Sequence, residues 1–407
     1  MDLVTRMARR LPVLLADIEA LVTCESPSSD PAALARSTEL VAGLGERRLG
    51  RPPERVLAGG RTHLRWRFGP GPARVLLLGH HDTVWPLGSL ATHPFAVTDG
   101  VLRGPGCVDM KAGLVLALHA LAELGGPAGV TLLVTSDEEL GSPSSRGLIE
   151  DEAAGCAAAL VLEAAAAGGA LKTERKGVSR YRLRVHGRAA HAGLEPERGV
   201  NATVELAHQV LALTALADPG RGTTVTPTLA EAGSSANTVP ATAEVAVDVR
   251  VRDAAEQGRV DAALRSLRPV LPGARLELTG GPNRPPMAAP ASAGLLRRAA
   301  QVARRLGLPE PIGAAVGGGS DGNFTAGIGT PTLDGLGAVG GGAHADDEHV
   351  LVDALPARAA LIAGLIADLL GPPAEPPGAL AEPPGALAEP PGALAGPGGP
   401  LAGRGRS

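Results

Sequence analysis

The 407 residues are 44% apolar and 20% charged with a net charge of -4, enough material for a large buried core in one or two domains. The slightly acidic balance and the lack of a basic stripe with interleaved aromatics argue against a nucleic-acid partner. Aromatics make up 1% of the chain, so the core has to be built from Leu, Val and Ala.

In chain order, Arg9 and Arg10 precede an apolar run over 11–15. Asp17 and Glu19 interrupt that run and no small-residue cleavage pattern follows, so the segment reads as an amphipathic helix and not as a secretion signal. Nowhere does the chain reach the roughly 18 apolar residues that a membrane span requires. Cys24, Cys107 and Cys156 form no CxxC pair and are odd in number, against both a disulfide framework and a thiolate zinc site. These features predict a cytoplasmic protein in a reducing compartment, with no membrane partner.

Continuous apolar runs over 75–78, 130–135 and 158–162 have the pattern of strands buried on both faces, and helical spacing over 111–124 and 147–154 fills the gaps. The predicted fold class is α/β, a mostly parallel sheet with helices on both faces. Each run ends in polar residues that can bind a metal. After the first comes Gly79-His80-His81-Asp82-Thr83-Val84, where alternation sets His80 and Asp82 on one side and His81 on the other. That spacing lets a carboxylate orient a metal-binding imidazole, although a wet strand end is the plainer reading. Asp109 stands in the glycine-rich loop 104–111, as an N-cap of the next helix or as a ligand. Cys107 beside it is a small buried residue, or else a soft ligand or an oxidisable thiol. Asp137, Glu138 and Glu139 close the second run; three successive acids repel one another unless they are solvated or share a cation. Glu163 ends the third run, a costly place for a carboxylate unless it is paired or metal-bound.

Residues 177–283 differ in pattern. Strands over 181–185, 223–229, 243–252 and 275–278 and helices over 201–213 and 260–267 give the order β-α-β-β-α-β of a small ferredoxin-like module. The larger fold resumes after Pro290. The expected organisation is a catalytic part over 1–176 and 289–371, an inserted domain over 177–288, and a tail from 372. Gly335-Leu336-Gly337-Ala338-Val339-Gly340 fits GxGxxG, but no convincing helix opens after it, so a dinucleotide site is not expected. His344 follows shortly. The tail carries three copies of EPPGALA over 375–381, 382–388 and 389–395, whose prolines forbid a helix and predict a disordered, polyproline-like segment.

Together, GHHDTV, GCVDMKAG, TSDEELGS, VLEA and GGAHADDEHV resemble the five signature segments of the M20 family of metallopeptidases, and the resemblance spans residues 13–370. That family includes glutamate carboxypeptidase, succinyl-diaminopimelate desuccinylase, acetylornithine deacetylase and aminoacylase. The resemblance implies that Asp109 bridges two divalent ions, with His80 and Glu163 completing one site and Glu139 and His344 the other. It also implies Asp82 as the buttress of His80, Glu138 as general base, and a cis peptide between Asp109 and Met110. Nitrogen and oxygen ligands suit zinc, with cobalt or manganese as substitutes. Ala190-His191-Ala192-Gly193 resembles the family's SHAG segment, with Ala190 in place of the serine. The likeness implies that His191 stabilises an oxyanion in a partner subunit, and hence a homodimer through the insert. Asn237, Arg250 and the loop with Gly318 and Ser320 stand where the family binds substrate, and Arg284 is a further specificity candidate. An ordinary exposed strand residue is the plainer reading of Arg250. Ala112 replaces a common family glycine. His81 is a bystander able to tune access to the metals; His63, His93, His119, His186, His208 and His349 are expected in packing or at the surface.

Two function classes stay open. One is a metal-dependent hydrolase that cleaves an amide next to a carboxylate-bearing amino acid in a small peptide or an N-acyl amino acid. The other is a catalytically silent binding or scaffold protein on the same fold. Glu138 separates them, since a degenerate relative tends to lose the base or a ligand, and all are present here.

Overall fold

The apolar runs form the strands Val75–His80, Val130–Thr135 and Ala158–Val161, every residue of which is buried in the computed structural model, which describes residues Met1–Gly371. The expected tail lies outside these residues. The three strands lie side by side and parallel, with Val75–His80 in the middle. Thr332–Leu333 adds a parallel strand next to Ala158–Val161. On the other side, Glu54–Ala58 and Arg61–Phe68 form an antiparallel hairpin whose second strand pairs antiparallel with Val130–Thr135.

Side-chain alternation divides the sheet's apolar residues between two faces. Leu77, Leu132 and Leu160 join a large cluster with the helices Leu11–Thr23, Ala112–Glu123 and Leu355–Leu370. Leu76, Leu78, Leu133 and Ala159 join a smaller one with Ile149, Ala153 and Phe324. Helices therefore cover both faces, which explains why these strands are apolar throughout and do not alternate. The N-terminal segment forms two helices, Leu3–Arg9 and Leu11–Thr23, where the sequence suggests one.

Residues 177–284 build a second sheet with its own core around Leu183, Val247, Leu206 and Val260. Its strands run in the order Thr224–Ala232, Thr242–Val251, Gly177–His186, Arg275–Arg284, all antiparallel. The helices Ala202–Thr214 and Ala254–Arg265 complete the β-α-β-β-α-β order. Arg180, Arg182 and Arg184 alternate outward from this core, leaving that side of the sheet polar. The chain enters and leaves the module side by side, where Arg175 and Met287 exchange backbone hydrogen bonds. The GxGxxG stretch forms a loop and a two-residue strand, Gly340–Gly341, with no helix.

Candidate metal centre

Strand register explains how residues far apart in sequence meet. Leu78 lies opposite both Leu133 and Val161, and His80 opposite Thr135. Two residues beyond Leu78 and Val161 stand His80 and Glu163, and just beyond Thr135 begins the loop with Glu138 and Glu139. Neighbouring strands are about 4.8 Å apart, so three carboxyl ends deliver these groups to one crevice. Asp109 arrives from the loop before Ala112–Glu123, with a cis Asp109–Met110 peptide. It does not cap that helix; its carboxylate points to two histidines. His344 reaches it from the segment before His349–Leu351, at a φ of 64°.

The contacts fall into two groups that share Asp109. His80 Nε2 lies 3.4 Å from Asp109 Oδ1 and 3.6 Å from Glu163 Oε1. His344 Nε2 lies 3.0 Å from Asp109 Oδ2 and 3.2 Å from Glu139 Oε1. Donor atoms of His80, Asp109 and Glu139 lie within 4.8 Å of one another, as do those of His80, Glu138 and Glu163. His80 Nε2 is buried and has no hydrogen-bond partner among the described residues. Two donors on a tetrahedral ion with bonds of about 2.0–2.1 Å stand about 3.4 Å apart, so the two His80 separations fit a shared cation better than hydrogen bonds, while the two His344 contacts are within hydrogen-bond distance.

Electrostatics agree with that fit. His344 is pushed up to about 11 by its hydrogen bonds to Asp109 and Glu139. His80 is raised well above its ordinary value although burial opposes it, because Asp109, Asp82 and Glu163 surround it. Burial works against ionisation of Asp109, yet His344 and His80 hold it well below the carboxylate range. Burial raises Glu138, with Arg284 opposing. A cluster that draws this much positive charge onto its imidazoles has the donor set and charge for divalent cations.

Supporting groups order the cluster. His80 Nδ1 donates to the Asp82 backbone carbonyl at 3.0 Å, with the Asp82 carboxylate 3.5 Å away. That carboxylate accepts hydrogen bonds from Ser28 Oγ at 2.7 Å and from the Glu138 and Glu139 amides at 3.2 and 3.3 Å. Asp137, first of the three acids, turns away and accepts from Ser144 and Ser145 at the start of Arg146–Ala153. Glu348 accepts the amides of Gly106, Val108 and Asp109 and thereby holds the loop of the bridging residue. Arg175 stands 3.4 Å from Glu163 and 2.6 Å from Asp334. Glu348, Arg175 and Asp321 went unnoticed in the sequence as parts of the site, although Glu348 and Asp321 lie within segments noted there.

The remaining sequence candidates are placed as follows. Arg284 is 3% exposed and bonded to Glu138 and Asp321. Ser320 is fully buried, its hydroxyl donating to Asp334 at 2.6 Å, while Gly318 O accepts from Arg175 at 3.0 Å. Arg250 forms a two-pronged ion pair with Asp248 at 2.7 and 3.0 Å. It stands in a cross-strand row with Val178 and Arg284, on the side of the module that reaches the centre. Asn237 and His191 come together where Ala190–His191 pairs with Thr238–Val239. Among the described residues, no hydrogen bond joins either of them to the ligand candidates. His81 does not line an access route to the metals: it is 1% exposed and packed on Ser37 and Thr38, and burial lowers it to about 4. Cys107 is buried, which pushes its thiol up and keeps it protonated, and it belongs to neither donor group.

A family model described as Peptidase family M20/M25/M40 matches residues 76–368. Carboxypeptidase G2 of Pseudomonas sp. (strain RS-16) is 34% identical over 314 residues, 74% of this chain and 75% of that protein. A succinyl-diaminopimelate desuccinylase of Dechloromonas aromatica is 29% identical over 357 residues, 79% of this chain and 90% of that protein. Among solved structures, an M20 family metallo-carboxypeptidase from Sulfolobus solfataricus shares the fold with a TM-score of 0.69 at 16% identity, covering 88% of this chain and 98% of that one.

Proposed function

The chain belongs to the M20/M25/M40 peptidase family, and from that premise we propose that it hydrolyses an amide next to a carboxylate-bearing amino acid. The substrate is a small peptide trimmed at its C-terminus or an N-acyl amino acid. The observation that carries the reading is Asp109 lying between His80 with Glu163 and His344 with Glu139, with Glu138 beside them.

His80, Asp109 and Glu163 would hold one divalent ion and Asp109, Glu139 and His344 a second, zinc by donor type, with cobalt or manganese as substitutes. When bound, such a pair lowers the pKa of a shared water and polarises the substrate carbonyl. Glu138 is the base that takes the water's proton and passes it to the departing amine. Asp82 fixes the direction of His80 through its backbone carbonyl, and its carboxylate, beside that imidazole, anchors the Glu138–Glu139 backbone. His191 is the oxyanion donor. Its Nδ1 accepts the amides of Gly193 and Leu194, both at 3.1 Å, which leaves its proton on the outward Nε2. No hydrogen bond joins His191 or Asn237 to the metal candidates among the described residues, and the likeness of residues 190–193 to the family's SHAG segment supports their serving a second copy. The domain over 177–288 is then the dimerisation element. Arg250 and Asn237 are the groups for the substrate's carboxylate, while Gly318 and Ser320, held by Arg175 and Asp334, shape the loop beside the centre. The protein works in the cytoplasm.

The test is turnover of metal-loaded protein on dipeptides, folyl-type glutamates, and N-acetyl and N-succinyl amino acids, with Glu138→Gln alongside. The variant should keep its metal and lose at least about 10²-fold in kcat. Unchanged turnover would remove Glu138 from the chemistry.

A further inference from the structure

We propose that Arg284 is a positioning residue for Glu138, and that the inserted module thereby holds the catalytic base from outside the parallel sheet. The inference rests on Glu138 being the base, and it replaces the substrate-contact role that the sequence suggests for Arg284.

One nitrogen of Arg284, NH2, donates to the Glu138 backbone carbonyl at 3.1 Å and to Glu138 Oε1 at 2.8 Å. The same nitrogen reaches Ser142 Oγ and Asp321 Oδ1, each at 3.0 Å. Holding main chain and side chain of one residue fixes its rotamer. Glu138 Oε2 accepts no hydrogen bond from any described residue, so the grip on Oε1 leaves the other oxygen free for a water's proton. The guanidinium is itself held. It lies 5.2 Å from the Phe324 ring centroid, and Asp321 also accepts from Ser142 Oγ and from Thr135 Oγ1. Gly319 fits closely beside it, since a Cβ there would lie 3.1 Å from Arg284 Cδ. At 3% exposure Arg284 is closed off from bulk solvent, and Nη2 alone meets the four acceptors, while Nε is buried with no hydrogen-bond partner among the described residues.

Position in the fold gives the contact its consequence. Arg284 is the last residue of Arg275–Arg284, the strand by which the module returns to the core, and it pairs with Val178 at the start of the outgoing strand. Its partners Glu138, Ser142 and Asp321 all belong to the core. A shift of the module therefore moves the group that orients the base. Lysine has a shorter reach and one point of charge, and cannot reproduce this grip.

The experiment compares wild type, Arg284→Lys and Arg284→Met for metal content, kcat, KM, calorimetric binding of the amino-acid product, and the crystal structure of each variant. If Arg284 positions the base, kcat falls by about 10²-fold or more while KM and product affinity stay within about threefold, metal content is unchanged, and the Glu138 carboxylate is seen rotated. If KM and product Kd rise tenfold or more with kcat retained, Arg284 is a substrate contact and the proposal is overturned. Loss of metal from both variants overturns it too, by making Arg284 a support of the ligands. Should Arg284→Met fail to fold, Arg284→Lys carries the test. Failure of the base assignment shows separately, as turnover surviving in Glu138→Gln.

Discussion

Asp82 shows how much order one carboxylate imposes here. It is fully buried, stands against His80, and accepts the amides of Glu138 and Glu139, so it joins the ends of two neighbouring strands. Second partners of this kind are typically worth about 10–100-fold in metal affinity. Asp82→Ala should weaken metal binding by about that factor, read by competition with a chromophoric chelator, and an unchanged affinity would show that its contacts are idle. Much at this scale was legible in the sequence. His80 and Glu163 each end a buried apolar run, where a polar group needs a reason to be. Arg284, Glu348 and Asp321 were not legible in their roles, because each acts on a partner more than a hundred residues away or across two loops, and no local pattern encodes that pairing. Arg250 was the opposite case. Its partner Asp248 lies two residues earlier on the same strand face, so the pairing follows from simple alternation.

Among the elements, the parallel strands were readable because burial on both faces requires unbroken Leu, Val and Ala. The module was readable because its central strands alternate, as in Thr242–Val251. The two-residue strands at 190–191, 238–239 and 340–341 were not, since two residues carry no period. The module's helix Ala254–Arg265 has its own electrostatic anchor. Glu256 is 1% exposed and accepts from Arg259, Arg221 and Thr223, and Arg259 and Thr223 hold its carboxyl down from an ordinary 4.5 to about 2. A depressed acid stabilises the fold above its unfolded value and loses that contribution as pH falls through the folded one. Glu256→Gln should therefore unfold at a lower temperature than wild type at neutral pH, with the gap closing between pH 4.5 and about 2. Thermal scans across that range check it, and a gap independent of pH would mean that Glu256 acts by shape and not by charge.

For the molecule as a whole, the centre stands where the parallel sheet, the loop carrying Asp109, the segment carrying His344 and the inserted module converge. Residues from five stretches of chain meet there, and burying several carboxylates together costs free energy unless cations are supplied. If two ions share Asp109, metal stoichiometry reports it directly. Wild type and Asp109→Ala are loaded with zinc, dialysed free of excess, and assayed by mass spectrometry of the metal. About two zinc ions per wild-type chain and fewer than one in the variant are expected, since one residue serves both positions. One ion or none in the wild type, or about two retained without Asp109, would contradict it.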